Sequence, residues 1–152
     1  MTRAFLLLAI VACTAIWVPA AGAASCRDAA HDLNLRLSPP VDEDELAGML
    51  IALNASGNER LPGKFVTKRK AKQMGWRPGK DLWSVSALRG KSIGGDRFSN
   101  REGRLLPGDW READLNYRGG HRGAKRLLFS REGLRRVTVD HYQTFIEVPP
   151  CQ

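Results

Sequence analysis

The segment WREADLNY, residues 110–117, contains the pattern that decides the fold. Successive side chains of a β-strand point to opposite faces, so this segment places Ala113 and Leu115 on one face. Glu112 and Asp114 then point to the other face. The pattern predicts a strand that packs one face against a hydrophobic core and carries ionisable groups on the opposite face.

The regions on both sides of this segment predict an α+β fold. Residues 42–54 have a helical pattern, with acidic residues at the start and apolar residues at spacing i, i+3, i+4, i+7. Shorter helices are predicted over 68–74, with Thr67 as N-cap, and over 81–87. The predicted strands, separated by Gly, Asn or Pro turns, are 91–98, 110–117, 125–130, 134–140 and 144–148. Helices followed by an antiparallel meander are typical of α+β domains.

The composition is that of a basic globular protein. The chain has 152 residues and a formal net charge of +8, with 43% hydrophobic and 26% charged residues. These proportions exclude a chain that is disordered throughout, a collagen-like chain and a multi-span membrane protein. The excess of Lys and Arg favours a polyanionic partner without identifying it.

The first 23 residues have the layout of a secretory signal peptide, with a basic start, an apolar run over 4–18 and small residues before the expected cleavage site. A membrane anchor is the alternative, but the apolar run is short for a span. We therefore expect residues 1–23 to be removed and the mature protein to be secreted or periplasmic, without membrane association. Residues 24–40, which end in two prolines, are predicted to form an N-terminal tether, and residues 41–152 the main domain.

Two cysteines follow the signal segment, Cys26 and Cys151, one near each end of the expected mature chain. In an exported protein, such a pair predicts a disulfide that ties the termini together. Two free thiols are the alternative that the sequence leaves open.

Motifs for metal or nucleotide cofactors do not occur in the sequence. Gly90-Lys91-Ser92 resembles the end of a phosphate-binding loop, but Val85 stands where that motif requires its first glycine. No Cys/His cluster has the spacing of a zinc site. We therefore predict no metal and no cofactor, and we expect His31, in the tether, to be solvated and without a catalytic role.

Four ionisable residues lie in or beside the predicted strands, namely Glu112, Arg122, Arg126 and His141. If their sheet face forms a groove, a carboxylate and an imidazole on opposite sides of a phosphodiester can act as general base and general acid. Each residue also has a purely structural interpretation. Glu112 fits a surface ion pair, His141 a structural histidine, and the arginines a salt-bridge network with Asp114. The residue pattern alone leaves both interpretations open.

Five blocks of sequence over residues 64–148 indicate the family more specifically than these four residues do. They are FVTK at 65–68, GW at 75–76, GKSIGGDRFSNREG at 90–103, WREADLNY at 110–117 and DHYQTF at 140–145. In these blocks the chain resembles the barnase family of bacterial guanyl-specific ribonucleases. The resemblance implies the microbial ribonuclease fold for residues 41–152, with N-terminal helices packed on a five-stranded antiparallel sheet. We expect a monomer that binds single-stranded RNA across the exposed sheet face.

The resemblance also implies a two-step reaction without a metal. Glu112 matches the general base, which takes the proton of the ribose 2′-hydroxyl, and His141 matches the acid, which protonates the leaving 5′-oxygen. The product is a 2′,3′-cyclic phosphate, which the same pair then hydrolyses to a 3′-phosphate with their roles exchanged. Lys68, Arg122 and Arg126 match the cations around the scissile phosphate, where fixed donors are needed because negative charge develops there.

The remaining matched positions concern support of the site and recognition of guanine. Asp114 matches a carboxylate that holds the two arginines, and Asp96 is assigned a supporting role beside it. A loop carboxylate can accept hydrogen bonds from N1–H and N2–H₂ of guanine, a donor pair that adenine lacks. The expected substrate-binding residues are Phe98, Ser99, Asn100, Arg101, Glu102 and Tyr142. The resemblance also suggests an acidic, barstar-like inhibitor as a partner.

Some positions depart from the family pattern, and these keep a second hypothesis open. Arg118, His121 and Lys125 alter the segment around the phosphate-binding arginines, and His121 can compete with or assist the proton transfers. The alternative function is a catalytically silent, cationic RNA-binding module with the same fold. Formation of cyclic phosphate ends after guanosine distinguishes the enzyme from the silent module.

Overall fold

The computed structural model describes residues 24–152. The expected signal peptide, residues 1–23, lies outside the described residues. Among the helices of the described part, none combines the length and apolar character that crossing a bilayer requires.

The described residues form three helices, two short 3₁₀ turns and one six-stranded sheet. The helices are α1 (Cys26–Asn34), α2 (Glu43–Ala55) and α3 (Lys68–Gln73), and the 3₁₀ turns are Leu82–Ser84 and Ser86–Leu88. The strands are β1 (Phe65–Val66), β2 (Ser92–Arg97), β3 (Trp110–Asp114), β4 (Arg126–Ser130), β5 (Arg135–Thr138) and β6 (Ile146–Glu147). The strands lie in the sheet in their sequence order. The α+β prediction is therefore confirmed.

The sheet differs from the predicted one by a single added strand. β1 pairs with β2 in parallel, whereas β2 to β6 pair antiparallel. The prediction of five antiparallel strands is thus correct for β2–β6 and missed β1. β1 has two residues, which is too short for an alternating pattern to be recognised in the sequence.

Capping residues place the helices where the sequence predicts them. Asp42 caps α2 by accepting a hydrogen bond from the backbone N–H of Glu45 at 2.9 Å. Thr67 caps α3 in the same way through Lys70, and Gly75 follows its end with a φ of 103°. The helix predicted over 81–87 is instead a pair of 3₁₀ turns, because extended backbone at Val85 interrupts it.

The interpretation of residues 24–40 as a tether is wrong for the segment that forms α1. Ser25 caps this helix, and its apolar positions 26, 29, 30 and 33 have the spacing i, i+3, i+4, i+7. Three of those four residues are small, so the apolar face is less conspicuous than that of α2. Ala30 and Leu33 are fully buried in the same core as α2, so the domain begins before residue 41.

The main core lies between α1, α2 and one face of the sheet. Ala113 and Leu115 belong to this core, which confirms the predicted inner face of β3. Leu127 and Val137 join them from β4 and β5, and both are fully buried. The other sheet face carries a smaller apolar cluster and a row of buried polar groups. This row is the base of the candidate site.

A disulfide joins Cys26 at the start of α1 to Cys151 near the end of the chain, with the two Cα atoms 4.8 Å apart. The predicted pairing is confirmed. The side-chain amide of Asn54 donates a hydrogen bond to the carbonyl of Cys151 at 2.9 Å, which fixes the C-terminal tail against α2. His31, also on α1, is well exposed and lies 3.2 Å from a carboxylate oxygen of Glu43.

Candidate active site

Three charged side chains are buried on the outer face of the sheet. Glu112 and Asp114 extend from β3, and Arg126 is paired with Asp114 across the β3–β4 ladder. Their exposed fractions are 6%, 2% and 3%. Buried charges are stable only when each has partners, so the contacts of these three groups define the site.

Glu112 accepts hydrogen bonds on both of its carboxylate oxygens. Nζ of Lys68 donates to Oε1 at 2.7 Å, and the hydroxyl of Tyr142 donates to Oε2 at 2.5 Å. Burial raises the pKa of Glu112, but the two hydrogen bonds and the charges of Lys68 and Arg126 outweigh it, so that the net pKa is lowered. The group is an ionised carboxylate at neutral pH. Each carboxylate oxygen has two acceptor positions, so both can accept a further proton donor.

The position of Lys68 depends on Asp96. Lys68 is the first residue of α3, and its backbone N–H donates to Oδ2 of Asp96 at 2.8 Å. Asp96 follows an irregularity in β2 at which Gly95 has a φ of 90°. Gly94 is required on packing grounds, because a Cβ there would lie 2.7 Å from Cδ1 of Phe65. The bulged glycine pair thus turns Asp96 toward the start of α3.

Asp114 holds both arginines. Its carboxylate accepts two hydrogen bonds from Arg122, each at 2.6 Å, and lies 3.0 Å from Nε of Arg126. Nη1 of Arg126 also donates to the carbonyls of Gly123 and Lys125, each at 2.7 Å. Burial lowers the pKa of Arg122, but the contacts with Asp114 outweigh it and raise the pKa overall. Both guanidinium groups are therefore charged and fixed in position.

His141 and Tyr142 lie in a turn with an uncommon backbone conformation. Their φ angles are 58° and 70°, a region that non-glycine residues rarely adopt. The backbone N–H of Tyr142 donates to the hydroxyl of Thr138 at 3.0 Å, which ties the turn to the end of β5. The turn exposes the imidazole of His141 and directs the hydroxyl of Tyr142 to Glu112. Such conformations persist only where the surroundings enforce them.

Asp140 enforces this turn, and sequence reasoning missed it. Its carboxylate accepts hydrogen bonds from the hydroxyls of Thr138 and Thr144 and from the backbone N–H groups of Gln143 and Thr144. Partial burial raises the pKa of Asp140, but these hydrogen bonds outweigh it and lower the pKa to about 2. An aspartate followed by a threonine four residues later is the signal that was available in the sequence.

A concave pocket of about 200 Å³ is lined in part by Tyr142 of this turn. Its lining contains all six residues expected to bind substrate, namely Phe98, Ser99, Asn100, Arg101, Glu102 and Tyr142. The rings of Phe98 and Tyr142 stack at 5.2 Å. Asn100 uses its side-chain amide to hold the backbone of Leu105 at 2.8 and 3.1 Å, so this residue shapes the loop.

Arg104 is a second residue that sequence reasoning did not select. Its Nη1 donates to the carbonyl of Gln143 at 2.8 Å, which links the loop expected to bind the base to the turn that carries His141. Its Nε lies 2.8 Å from the exposed carboxylate of Glu102. The loop carboxylate therefore has a cation beside it before any base is bound.

A second cavity, of about 250 Å³, includes His141 and shares no lining residue with the pocket that contains Tyr142. The arginines Arg122 and Arg126 line it as well, so the expected acid and two of the expected phosphate-binding cations share one cavity. His121 and Trp76 also belong to its lining. Across residues 24–152, no cluster of three or more His, Cys, Asp or Glu residues is arranged to hold a metal ion.

This part of the chain thus contains an ionised buried carboxylate, three cations with acidic partners and an exposed imidazole, which are groups that can cleave a phosphodiester. A family model described as ribonuclease matches residues 51–149. The ribonuclease of Heyndrickxia coagulans is 49% identical over 93 residues, which cover 59% of this chain and 84% of that protein. The ribonucleases of Bacillus intermedius and Bacillus pumilus are also 49% identical over 93 residues, and the match covers 57% of each of them.

The matched region includes the sheet, α3 and both cavities, so the comparison applies to the candidate site itself. The chain spans little more than half the length of the two Bacillus relatives. It belongs to the ribonuclease family, and the resemblance to barnase-like enzymes is confirmed.

Proposed function

We propose that the protein is a secreted endoribonuclease that cleaves single-stranded RNA after guanosine, with Glu112 as general base and His141 as general acid. One observation carries the proposal: a buried carboxylate is kept ionised by Lys68 and Tyr142, and Tyr142 belongs to the same turn as the exposed His141. Glu112 contacts this turn through Tyr142, and the turn carries His141, so the base and the acid can act on opposite sides of one phosphorus atom.

In the first step, Glu112 accepts the proton of the ribose 2′-hydroxyl while the 2′-oxygen forms a bond to phosphorus. The bond from phosphorus to the 5′-oxygen breaks, and His141 gives its proton to that oxygen. Negative charge develops on the non-bridging oxygens, which Lys68, Arg122 and Arg126 stabilise because their positions are already fixed. The products are a 2′,3′-cyclic phosphate and a free 5′-hydroxyl.

The second step reverses the roles of the two residues. His141 accepts a proton from water while the water oxygen bonds to phosphorus. The bond from phosphorus to the 2′-oxygen breaks, and Glu112 returns its proton to that oxygen. The product is a 3′-phosphate, and both residues regain their starting states.

Guanine selection is assigned to the pocket beside Tyr142. The carboxylate of Glu102 is exposed and can accept hydrogen bonds from N1–H and N2–H₂ of the base, in place of its contact with Arg104. Phe98 supplies an aromatic surface for stacking, the usual mode of recognition of single-stranded RNA. The Cys26–Cys151 disulfide supports an oxidising location outside the cytoplasm. The cavity lined by Arg122, Arg126 and His141 also suits an acidic inhibitor of the barstar type.

Product analysis on defined dinucleotides tests the proposal. The protein should convert GpU to guanosine 2′,3′-cyclic phosphate faster than it converts ApU to the corresponding product, and it should do so in the presence of a chelator. Glu112→Gln and His141→Gln should each lower kcat/KM by about 100-fold or more. Glu132→Gln and His31→Gln are the matched controls, since both residues lie outside the site.

Three outcomes would contradict separate parts of the proposal. Near-normal cleavage by Glu112→Gln would contradict the assignment of Glu112 as general base. Equal cleavage rates on GpU and ApU would contradict the preference for guanosine. Binding of RNA without any cleavage favours the catalytically silent module instead.

A further inference from the structure

Arg135 is a cation on the core face of the sheet. Side chains alternate along β5, so Arg135 lies on the same face as Val137, which is fully buried in the main core. Its register neighbour on β4 is Phe129, which belongs to the same core. Arg135 is half-buried where β5 meets the end of α2. A cation in this position needs partners, because burial disfavours a charge that has none.

The partners of this guanidinium are neutral. Nη2 donates hydrogen bonds to Oδ1 of Asn54 at 2.8 Å and to Oδ1 of Asn58 at 2.5 Å. No side-chain carboxylate among residues 24–152 forms an ion pair with Arg135. Burial lowers the pKa of Arg135, whereas contact with Asp114 raises the pKa of Arg122. Within the described residues, the positive charge of Arg135 is therefore not balanced.

Two nitrogens of Arg135 have N–H groups without a partner. Nε is buried and forms no hydrogen bond. Nη1 forms none with the described residues either, but it is not fully buried and is accessible from solvent. Guanidinium groups match the geometry of oxyanions, so an accessible and unpartnered Nη1 favours a ligand with a negatively charged oxygen.

Two adjoining cavities, of about 660 and 300 Å³, lie beside Arg135. Their linings share Arg135, Asn54, Asn58, Pro150 and Cys151, so they form one site, which we call the tail groove. The tail groove lies between the end of α2, the β4–β5 turn and the C-terminal tail. None of its lining residues belongs to the two cavities of the candidate active site.

The walls of the tail groove are held in place. The disulfide of Cys151 and the hydrogen bond from Asn54 to the Cys151 carbonyl fix the tail against α2. Asn58 has a φ of 65°, and its backbone N–H donates to the carbonyl of Leu53 at 2.7 Å. Both amide acceptors of Arg135 are thus anchored to α2, so the guanidinium is oriented before a ligand binds.

The tail groove combines one unbalanced positive charge with apolar surface. Ile51 of α2 is 56% exposed and lines the groove together with Pro150. Among the described residues of the lining, Glu147 has the only side-chain carboxylate, and it lies 3.2 Å from Nη2 of Arg136. Arg135 therefore remains available for one negative charge on a ligand, and Glu147 disfavours a second.

We propose that the tail groove binds a small monocarboxylate that carries an apolar group. The carboxylate accepts hydrogen bonds from Nη1 of Arg135, and the apolar group packs against Ile51 and Pro150. The site is separate from the proposed reaction, since Arg135 lies on the core face of the sheet and Glu112 on the outer face.

Calorimetry with hexanoate, acetate and hexanol tests the proposal on the oxidised protein. Hexanoate should bind with a Kd of about 1 mM. Acetate, which lacks most of the apolar chain, should bind about tenfold more weakly or worse. Hexanol, which lacks the charge, should also bind about tenfold more weakly or worse. Hexyl phosphate should bind no more tightly than hexanoate, and tighter binding would overturn the preference for a single charge.

Two variants separate the charge of the groove from its apolar wall. Arg135→Gln should weaken hexanoate binding by about tenfold. Arg131→Gln is the matched control, because it removes the same charge from the exposed β4–β5 turn outside the groove, and it should leave the Kd unchanged. Ile51→Gln alters an exposed side chain, so the fold should persist, and it should weaken hexanoate by about threefold while leaving acetate unchanged.

Nuclear magnetic resonance spectra locate the bound hexanoate. We expect the side-chain amide signals of Asn54 and Asn58 to shift on titration. Shifts confined to the surroundings of His141 would assign the anion to the active-site cations and overturn the proposal. Equal hexanoate affinities for the unmodified protein and a folded Arg135→Gln would overturn it as well. If Arg135→Gln does not fold, equal affinities for the unmodified protein and Ile51→Gln would do so.

Discussion

Substitution of Tyr142 by Phe tests how the site keeps Glu112 ionised. The Tyr142 hydroxyl donates to Oε2 of Glu112 at 2.5 Å, and burial together with this carboxylate raises the pKa of the tyrosine, so the hydroxyl remains a donor in any working buffer. A hydrogen bond to a charged group contributes about 1.5–3 kcal/mol. Because about 1.36 kcal/mol corresponds to one pKa unit, loss of the bond should move the acid limb of the kcat/KM profile upward by about one pH unit or more.

The assay is the pH profile of kcat/KM on GpU from about pH 3 to pH 8. Tyr142→Phe keeps the aromatic ring that stacks on Phe98 at 5.2 Å, so the base pocket should retain its shape. Tyr117→Phe is the matched control, since the hydroxyl of Tyr117 contacts Asp81, and it should leave the pH of the acid limb unchanged. An acid limb at the same pH in Tyr142→Phe and the unmodified protein would refute the reasoning, whatever happens to the maximal rate.

Three further predictions concern stability. Asp140→Asn should lower the free energy of unfolding by about 1–3 kcal/mol. The pKa of Asp140 is lowered from 3.8 to about 2, so thermal unfolding should show the full loss of stability above about pH 4 and no loss toward pH 2. Substitution of both Cys26 and Cys151 by serine should lower the free energy of unfolding by up to about 4–5 kcal/mol, measured with denaturant. Equal unfolding midpoints for the double variant and the unmodified protein under oxidising conditions would contradict this. Gly94→Ala should lower the free energy of unfolding by about 1–3 kcal/mol. Gly48→Ala is the control and should not lower it, because no atom lies within 4 Å of the added Cβ.

The sequence predicted the parts of the fold that follow from local periodicity. Alternation in β3 identified the core face through Ala113 and Leu115, and the caps Asp42 and Thr67 located two helices. α1 was missed because the apolar residues of its buried face are mostly small, so the face resembles a linker in composition. β1 was missed because it has only two residues, and its pairing with β2 joins segments that are distant in the sequence.

For the candidate site too, the sequence predicted some residues and not others. The residues expected to contact substrate were identified by type and by resemblance, and the structure gathers the six expected substrate-binding positions into one pocket. Asp140 and Arg104 were not identified, although both hold the backbone of the His141 turn through hydrogen bonds. A backbone turn of this kind is a property of the three-dimensional structure, and the side chains that stabilise it have no pattern of their own.

The charges of the site explain why two carboxylates are buried beside three cations. Lys68, Arg122 and Arg126 carry three positive charges, and Glu112 and Asp114 carry two negative charges, so one positive charge remains for an incoming phosphodiester. In the proposed reaction, Asp114 reduces the attraction of the site for RNA, but it holds both guanidinium groups in position before substrate binds. Fixed donors need no reorganisation when charge develops on phosphorus, so they stabilise the transition state more than the bound substrate. Under the proposed function, the buried aspartate therefore lowers the affinity for RNA and raises the rate, which is the balance that a turnover enzyme requires and a silent RNA-binding module does not.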